Sequence, residues 1–429
     1  METGKLIQSE GVLARREKRL AFLLLSPTFL LVIAIVLFPL FANFWISFKP
    51  ISLADLRPPT IFVKERIKGN LEQIGEKLVI EYRYRNSSMK YPLSHVSFSD
   101  ILPEGANLIR IDPSCAIETI SANTLINCNL GEVEPKARGK IILDVMLELP
   151  LTKEQFNSSI IDTRFEAKNI LTSLEFSFSN YVKIFSASEF LEVLKTTIYY
   201  TFFGTAGALI LGLFAAQIMR KAFPGRAIIR GVLLFPYVAP VIAVAFSWVI
   251  LFDPFSGSVN AMMMELGVSE KPVNFFGQRF TSISFFGLQI KLPVALSMVI
   301  LFEVWRYFPL SFLFILARMQ SIPSELYEAA EMDGATPFQQ FWYLSLPHII
   351  GILAVLFLLR FIWTFNKFDD IFLLTGGNAG TRTLTVNVYE QAFAISNIGA
   401  GAAVAVVIFA CLILFSVFFF RFINREEGL

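Results

Sequence analysis

Two stretches of the 429-residue sequence set polar groups inside otherwise apolar runs. One reads Glu303-Val304-Trp305-Arg306-Tyr307, and the other collects Arg360, Trp363, Thr364, Asn366, Lys367, Asp369 and Asp370. Ionisable groups at membrane depth are costly and face an interior or a cavity. Indole and phenol rings beside amide and carboxylate groups suit a sugar-like solute, which offers apolar C–H faces and many hydroxyls. On that chemistry Tyr307, Trp363, Asn366 and Asp369 are the candidate solute-lining residues. A structural account of the same residues stands beside it. Glu303 and Arg306, three apart on a helix, neutralise each other, and Lys367 pairs with Asp369 or Asp370. Two His in the chain weigh against His-rich metal or acid–base chemistry, and three Cys are too few for a disulfide scaffold.

The elements that must position these groups are membrane helices. Hydrophobic residues make up 55% of the chain, charged residues only 17%, and the mean hydropathy is +0.59. Soluble domains carry about 25% charged residues. A net charge of +2 gives no reason to expect a nucleic-acid partner. A helix needs about 20 mostly apolar residues to span the hydrocarbon core. Six stretches qualify: Leu20–Phe48, Thr196–Met219, Ile228–Phe252, Leu292–Leu316, Ile349–Leu374 and Gly399–Phe420. The first is long, uncharged and lacks a small-residue cleavage pattern, so it reads as a retained anchor. Pro309 is placed to kink the fourth.

Basic residues orient the bundle. With the N-terminus cytoplasmic, the inner segments hold Lys5, Arg15, Arg16, Lys18 and Arg19, then Arg220, Lys221, Arg226 and Arg230, then Arg318, Arg421 and Arg425. The short outer loops hold only Lys271, Arg279, Lys291 and Arg382. Both termini are therefore expected on the cytoplasmic side, with the apolar spans among membrane lipids.

Residues 49–190 differ in composition. Ile80, Tyr82 and Tyr84 alternate with Glu81, Arg83 and Arg85, and Leu143, Val145, Leu147 and Leu149 alternate with Asp144, Met146 and Glu148. Period two with turn clusters between the runs predicts strands. The expected architecture is six transmembrane helices with an extracytoplasmic β-sandwich, about residues 78–149, between the first and second. That setting permits a Cys115–Cys128 disulfide, which would stabilise so short a loop by about 3 kcal/mol. Two unpaired core thiols are the alternative. The strand ending Tyr84-Arg85-Asn86, the run Val96 to Gly105, Cys115, Cys128-Asn129-Leu130-Gly131 and the strand from Ile141 resemble the Ig-like conserved repeat of bacterial and archaeal envelope proteins. That resemblance implies a structural or adhesive module.

One loop, residues 320–347, carries more information. Pro323 suits a first helical turn, Ala329, Ala330 and neighbouring Glu favour helix, and Gly334 can take the left-handed conformation that stops it. Thr336 then caps a second helix with Pro337 at its first position and Gln339 completing a capping box. Pro347 marks re-entry into the bilayer. The string Glu328-Ala329-Ala330-Glu331-Met332-Asp333-Gly334, followed by Leu344-Ser345-Leu346-Pro347, resembles the EAA loop of ABC importer permeases, with Leu344 where Ile is more usual. Ser179 to Phe185, Phe223-Pro224-Gly225-Arg226, Phe235-Pro236 with Val238-Ala239-Pro240, and Leu374-Thr375-Gly376-Gly377 resemble the carbohydrate-uptake, maltose-type branch. The resemblance covers the N-terminal span, within residues 1–48, and roughly Phe176 onward, not the β-sandwich insert; the permease core is set at residues 191–429.

The resemblance implies a transport subunit and no enzyme. It would work with a second permease, two cytoplasmic ATPases that bind the ATP and magnesium, an extracytoplasmic solute-binding protein and a carbohydrate. Glu328, Ala329, Ala330, Asp333 and Gly334 would dock on the ATPase. Glycerol phosphate or another polyol-like solute is the alternative cargo. An ion-coupled transporter would show uptake driven by a proton gradient without ATP. A membrane transferase would turn over a lipid-linked sugar as the isolated chain.

Overall fold

The computed structural model describes residues 12–71, 73–120, 123–150, 152, 161–285 and 288–423. Lys5 and Arg425 of the charge count lie outside the described residues. The chain divides into two compact units, Ile51–Ser177 and a helical unit formed by the sequence on either side of it.

In the first unit β1 (Ile61–Lys68), β2 (Lys77–Asn86), β7 (Arg138–Leu147) and β4 (Ala106–Arg110) form one antiparallel sheet in the order β1-β2-β7-β4. A second sheet runs β5-β6-β3-β8, from β5 (Cys115–Ile120), β6 (Asn123–Val133), β3 (Leu93–Leu102) and β8 (Asp162–Ala167). Alternate residues of both sheets, among them Leu78, Ile80, Tyr82, Phe98, Ile126, Leu143 and Val145, share one core. Cys115 and Cys128 sit directly opposite on β5 and β6 and are joined by a disulfide. The strands begin before residue 78, at Ile61, and β7 stops at Leu147, which leaves Leu149 exposed. Glu81 stays on the outer face although little of it is exposed, because Lys68 (2.8 Å) and Arg83 (2.9 Å) cover it.

Inside this core Tyr82 donates to Asp100 Oδ2 at 2.6 Å. Glu65, opposite Tyr82 in the β1/β2 ladder, is pushed from the ordinary 4.5 up to about 7 by burial and by the nearby Asp100 charge. Below pH 4.5 the carboxyl is protonated in both folded and unfolded chains and costs nothing. Between pH 4.5 and 7 the unfolded chain ionises first, so stability falls as pH rises and levels off above 7. Allowing for screening of a half-exposed group, the loss is about 1–2 kcal/mol. Glu65→Gln is expected to remove this slope from circular-dichroism melts. Glu81, held at about 2 by Lys68 and Arg83, titrates below the same window.

The helical unit opens with α1 (Val12–Leu31), a π turn (Val32–Leu37) and α2 (Phe38–Ser47). It resumes with α3 (Ser179–Ser186), α4 (Phe190–Arg220), α5 (Arg226–Val238), α6 (Val241–Leu251) and α7 (Ser258–Glu265). After a hairpin of β9 (Thr281–Phe285) and β10 (Leu288–Leu292) come α8 (Val294–Gln320), α9 (Ser324–Met332), α10 (Pro337–Gln340) and α11 (Leu346–Phe365). The rest is α12 (Asp369–Thr375), α13 (Leu384–Tyr389) and α14 (Ile398–Ile423). Five helices among the described residues are long and apolar enough to cross a membrane, and a bent pair makes six.

Two expected spans differ from straight rods. The third is broken, with α5 and α6 meeting at 91° across Ala239-Pro240. Pro240 has no N–H to continue the ladder and holds Ala239 extended (ψ 142°). The fifth is displaced toward the N-terminus. It ends at Phe365 with Asn366 as its C-cap, and it begins at Pro337, because α10 runs through a π turn (Phe341–Ser345) into α11 without a separate re-entry at Pro347. Pro347 cannot donate to the carbonyl four residues back, and the preceding turn widens so that Leu346 N–H donates to Phe341 O. The Pro39 turn does the same, with Phe38 N–H on Ile33 O.

Candidate functional site

Two fully buried carboxylates, Glu303 and Asp370, lie inside the bundle. Glu303 sits on α8. Its Oε1 accepts from Arg360 Nη2 (2.6 Å) and Thr364 Oγ1 (2.9 Å) on α11, and its Oε2 from Tyr200 OH (3.1 Å) on α4. Gly204 makes room for it. A Cβ there would stand 2.9 Å from Glu303 Cγ, and Gly207 and Gly212 leave the same kind of gap for Val304 and Ser311, so three glycines let α4 approach α8. The expected neutralisation of Glu303 by Arg306 is not found. Arg306 Nη1 instead donates to Ala239 O at 3.2 Å, a carbonyl that the Pro240 bend takes out of the helix ladder.

Tyr307 gathers cations around this centre. The Arg360 guanidinium lies 4.5 Å and Lys367 Nζ 4.3 Å from its ring centroid. Arg306 is 5.6 Å away, and Lys367 also bonds the phenol oxygen. Such contacts are worth about 0.5–2 kcal/mol each, more when desolvated. Lys367 Nζ stands 3.7 Å from Asp369 and 3.8 Å from the fully buried Asp370, whose oxygens accept no hydrogen bond among the described residues. The geometry thus joins Tyr307 and Asp369 of the candidate residues. Asn366 is exposed and donates to Ile362 O at 2.9 Å, ending α11. Trp363 is exposed on the turn before it. Neither is brought to Tyr307.

The second feature is the loop after α8. Helix α9 ends as its glycine requires: Gly334 has φ +79°, and Ala335 N–H donates to Ala330 O at 2.9 Å. Thr336 and Gln339 exchange the two bonds of a capping box. Glu328, Ala329, Asp333 and Gly334 are exposed and Ala330 is half-buried, so the small-residue face is open to a partner. Tyr327 alone of this helix turns inward. Its hydroxyl pairs with Ser345 Oγ at 2.9 Å, and the Arg220 guanidinium stacks 3.8 Å from its ring centroid. The helix is therefore tied to the ends of both α4 and α11.

Tyr200, Gly204, Tyr327 and Arg220 escape a reading of the sequence. Nothing local distinguishes one Tyr or Gly of an apolar helix from the next, and Arg220 counts there only as an orienting charge. Tyr327 carries the one available signal, an aromatic residue between helix-forming polar neighbours.

Residues 208–427 match the family model described as "Binding-protein-dependent transport system inner membrane component". The chain is 37% identical over 240 residues (56% of this chain, 76% of the relative) to the inner membrane ABC transporter permease protein YcjO of Escherichia coli K12. It is 32% identical over 243 residues (56% and 77%) to the trehalose/maltose transport system permease protein MalF of Thermococcus litoralis. It is also 32% identical over 252 residues (58% and 80%) to the sn-glycerol-3-phosphate transport system permease protein UgpA of Yersinia pestis. Among solved structures, a chain of a bacterial alginate ABC transporter, in complex with an alginate pentasaccharide-bound periplasmic protein, superposes with TM-score 0.52 at 20% identity, covering 59% of this chain and 84% of that one. That likeness supports the fold. With the motif loop, the helical unit and these matches in agreement, the chain belongs to the binding-protein-dependent transport system inner membrane components, the multi-pass permease subunits of ABC importers.

Proposed function

We propose that this permease moves a carbohydrate across the membrane in partnership with a second permease, an extracytoplasmic solute-binding protein and two cytoplasmic ATPases that hold the ATP and magnesium. The observation that carries the reading is the exposed, glycine-ended helix α9, whose buried Tyr327 links it to α4 and α11, the two helices that also supply Tyr200, Arg360 and Thr364 to Glu303. A push on α9 therefore acts on the helices that surround the buried polar centre. ATP can shift such a bundle between inward- and outward-facing states only through contacts that differ between them. In this reading Glu328, Ala329, Ala330, Asp333 and Gly334 meet the ATPase, both termini are cytoplasmic, and the Ile51–Ser177 unit is extracytoplasmic.

A sugar as cargo is supported by the trehalose/maltose relative and by the alginate-importer neighbour. Glycerol phosphate has support only of the same grade, and the buried centre already carries carboxylates. Tyr307 and the part-exposed Asp369 are the best-placed solute contacts, with Lys367 between them; Trp363 and Asn366 are exposed away from Tyr307. Glu328→Lys is expected to abolish uptake and release the ATPase on co-purification, with membrane insertion unchanged. Retained ATPase and uptake would reject the docking assignment. Asn366→Ala with unaltered uptake affinity would remove Asn366 from the site.

A further inference from the structure

We propose a second ligand site, in the Ile51–Ser177 unit: a pocket that binds an oxyanion, a carboxylate or phosphate carried on a small polar molecule. The cavity measures about 400 Å³, and residues 52–60, the 85–91 segment and Lys168–Ile170 bound it. Four cations line it: Arg57, Arg85, Lys90 and Lys168. Two are already neutralised, Lys90 by Asp55 at 2.8 Å and Lys168 by Glu175. Burial pushes Asp55 up, but Lys90 and the Ser52 bonds outweigh it and hold the carboxyl below its ordinary range. That pair is therefore charged and internally balanced at neutral pH. Arg57 and Arg85 have no carboxylate partner among the described residues. Their guanidinium forks match the planar geometry of a carboxylate or the edge of a phosphate.

The walls are fixed in advance. Ser52 and Asp55 form a capping box that sets the first turn. Asn86, fully buried, donates to Tyr91 O (3.1 Å), Val133 O (3.0 Å) and Glu134 O (3.1 Å), which pins the loop after β2. Lys90 to Asp55 then ties loop to turn. Phe62, opposite Arg85 in the β1/β2 ladder and exposed, and Tyr91 add ring surface beside the cations. Rings next to unpaired guanidinium groups favour an acidic saccharide over a bare ion.

The test is calorimetric titration of the full chain in nanodiscs of neutral lipid with tri-galacturonate, and separately with inorganic phosphate. A third arm titrates vesicles of phosphatidylglycerol, to distinguish a lipid headgroup from a soluble ligand. The expected result is binding that weakens with salt and falls about tenfold or more for Arg57→Gln and for Arg85→Gln, with Arg→Lys variants intermediate. Unchanged circular-dichroism melts show that the variants fold. Binding confined to the vesicle arm, with the same dependence on both arginines, supports the site and names the headgroup as its source. Absence of binding in all three arms, or affinity indifferent to both arginines, overturns the proposal. Every lining residue lies in the Ile51–Ser177 unit, so failure here leaves the translocation reading untouched.

Discussion

Arg360→Met is expected to cost the folded permease about 3–5 kcal/mol, because it leaves the buried Glu303 without its charge partner. Thr364 and Tyr200 remain as donors to the carboxylate but bring no charge. The fall should appear as lost yield and a lower melting temperature in detergent. Glu303→Gln alone should be milder, since Arg360 keeps the Tyr307 ring at 4.5 Å and the amide still accepts from Thr364. The double variant Glu303→Gln/Arg360→Met should recover most of the stability, as removal of both charges removes the desolvation cost. Recovered stability without uptake would place the pair in transport. A double variant as unstable as Arg360→Met would show that packing around Arg360, and no charge, is what holds α8 to α11.

Tyr327→Ala is expected to cut solute-stimulated ATP hydrolysis about tenfold or more while the ATPase still co-purifies, the size of a typical coupling energy between sites. The exposed face proposed for docking is untouched by this change. What is lost is the stack of Arg220 on the ring, the hydroxyl contact with Ser345 and the packing of the ring in the cluster with Met219, Met319 and Ile349. Tyr327→Phe keeps the stack and the packing and loses only the hydroxyl contact, so it should retain most of the coupling. ATPase rates of the purified complex with and without solute check both. If Tyr327→Ala couples normally, force must pass through the chain continuity of α8 to α9 alone.

What the amino-acid sequence settled by itself was whatever depends on neighbours within about five residues or on a simple period. Apolar runs of spanning length, the period-two strands, the glycine stop at Gly334 and the Thr336–Gln339 box were legible because their partners are three to five positions away, where chain geometry leaves little choice. The same local logic failed where a partner lies far along the chain. Glu303 ignores Arg306, three residues off, and takes Arg360, 57 residues off, because Arg306 is drawn to the Ala239 carbonyl that the Pro240 bend leaves unpaired. A buried charge goes to whichever donor the packing brings within reach, and only tertiary structure decides which that is. It likewise decided that Tyr327 faces inward while Glu328 faces out, that Gly204 is the gap Glu303 fills, and that Asn366 ends a helix instead of pointing at Tyr307. Each of these depends on how two or three helices lie together, a relation that no spacing along one helix encodes.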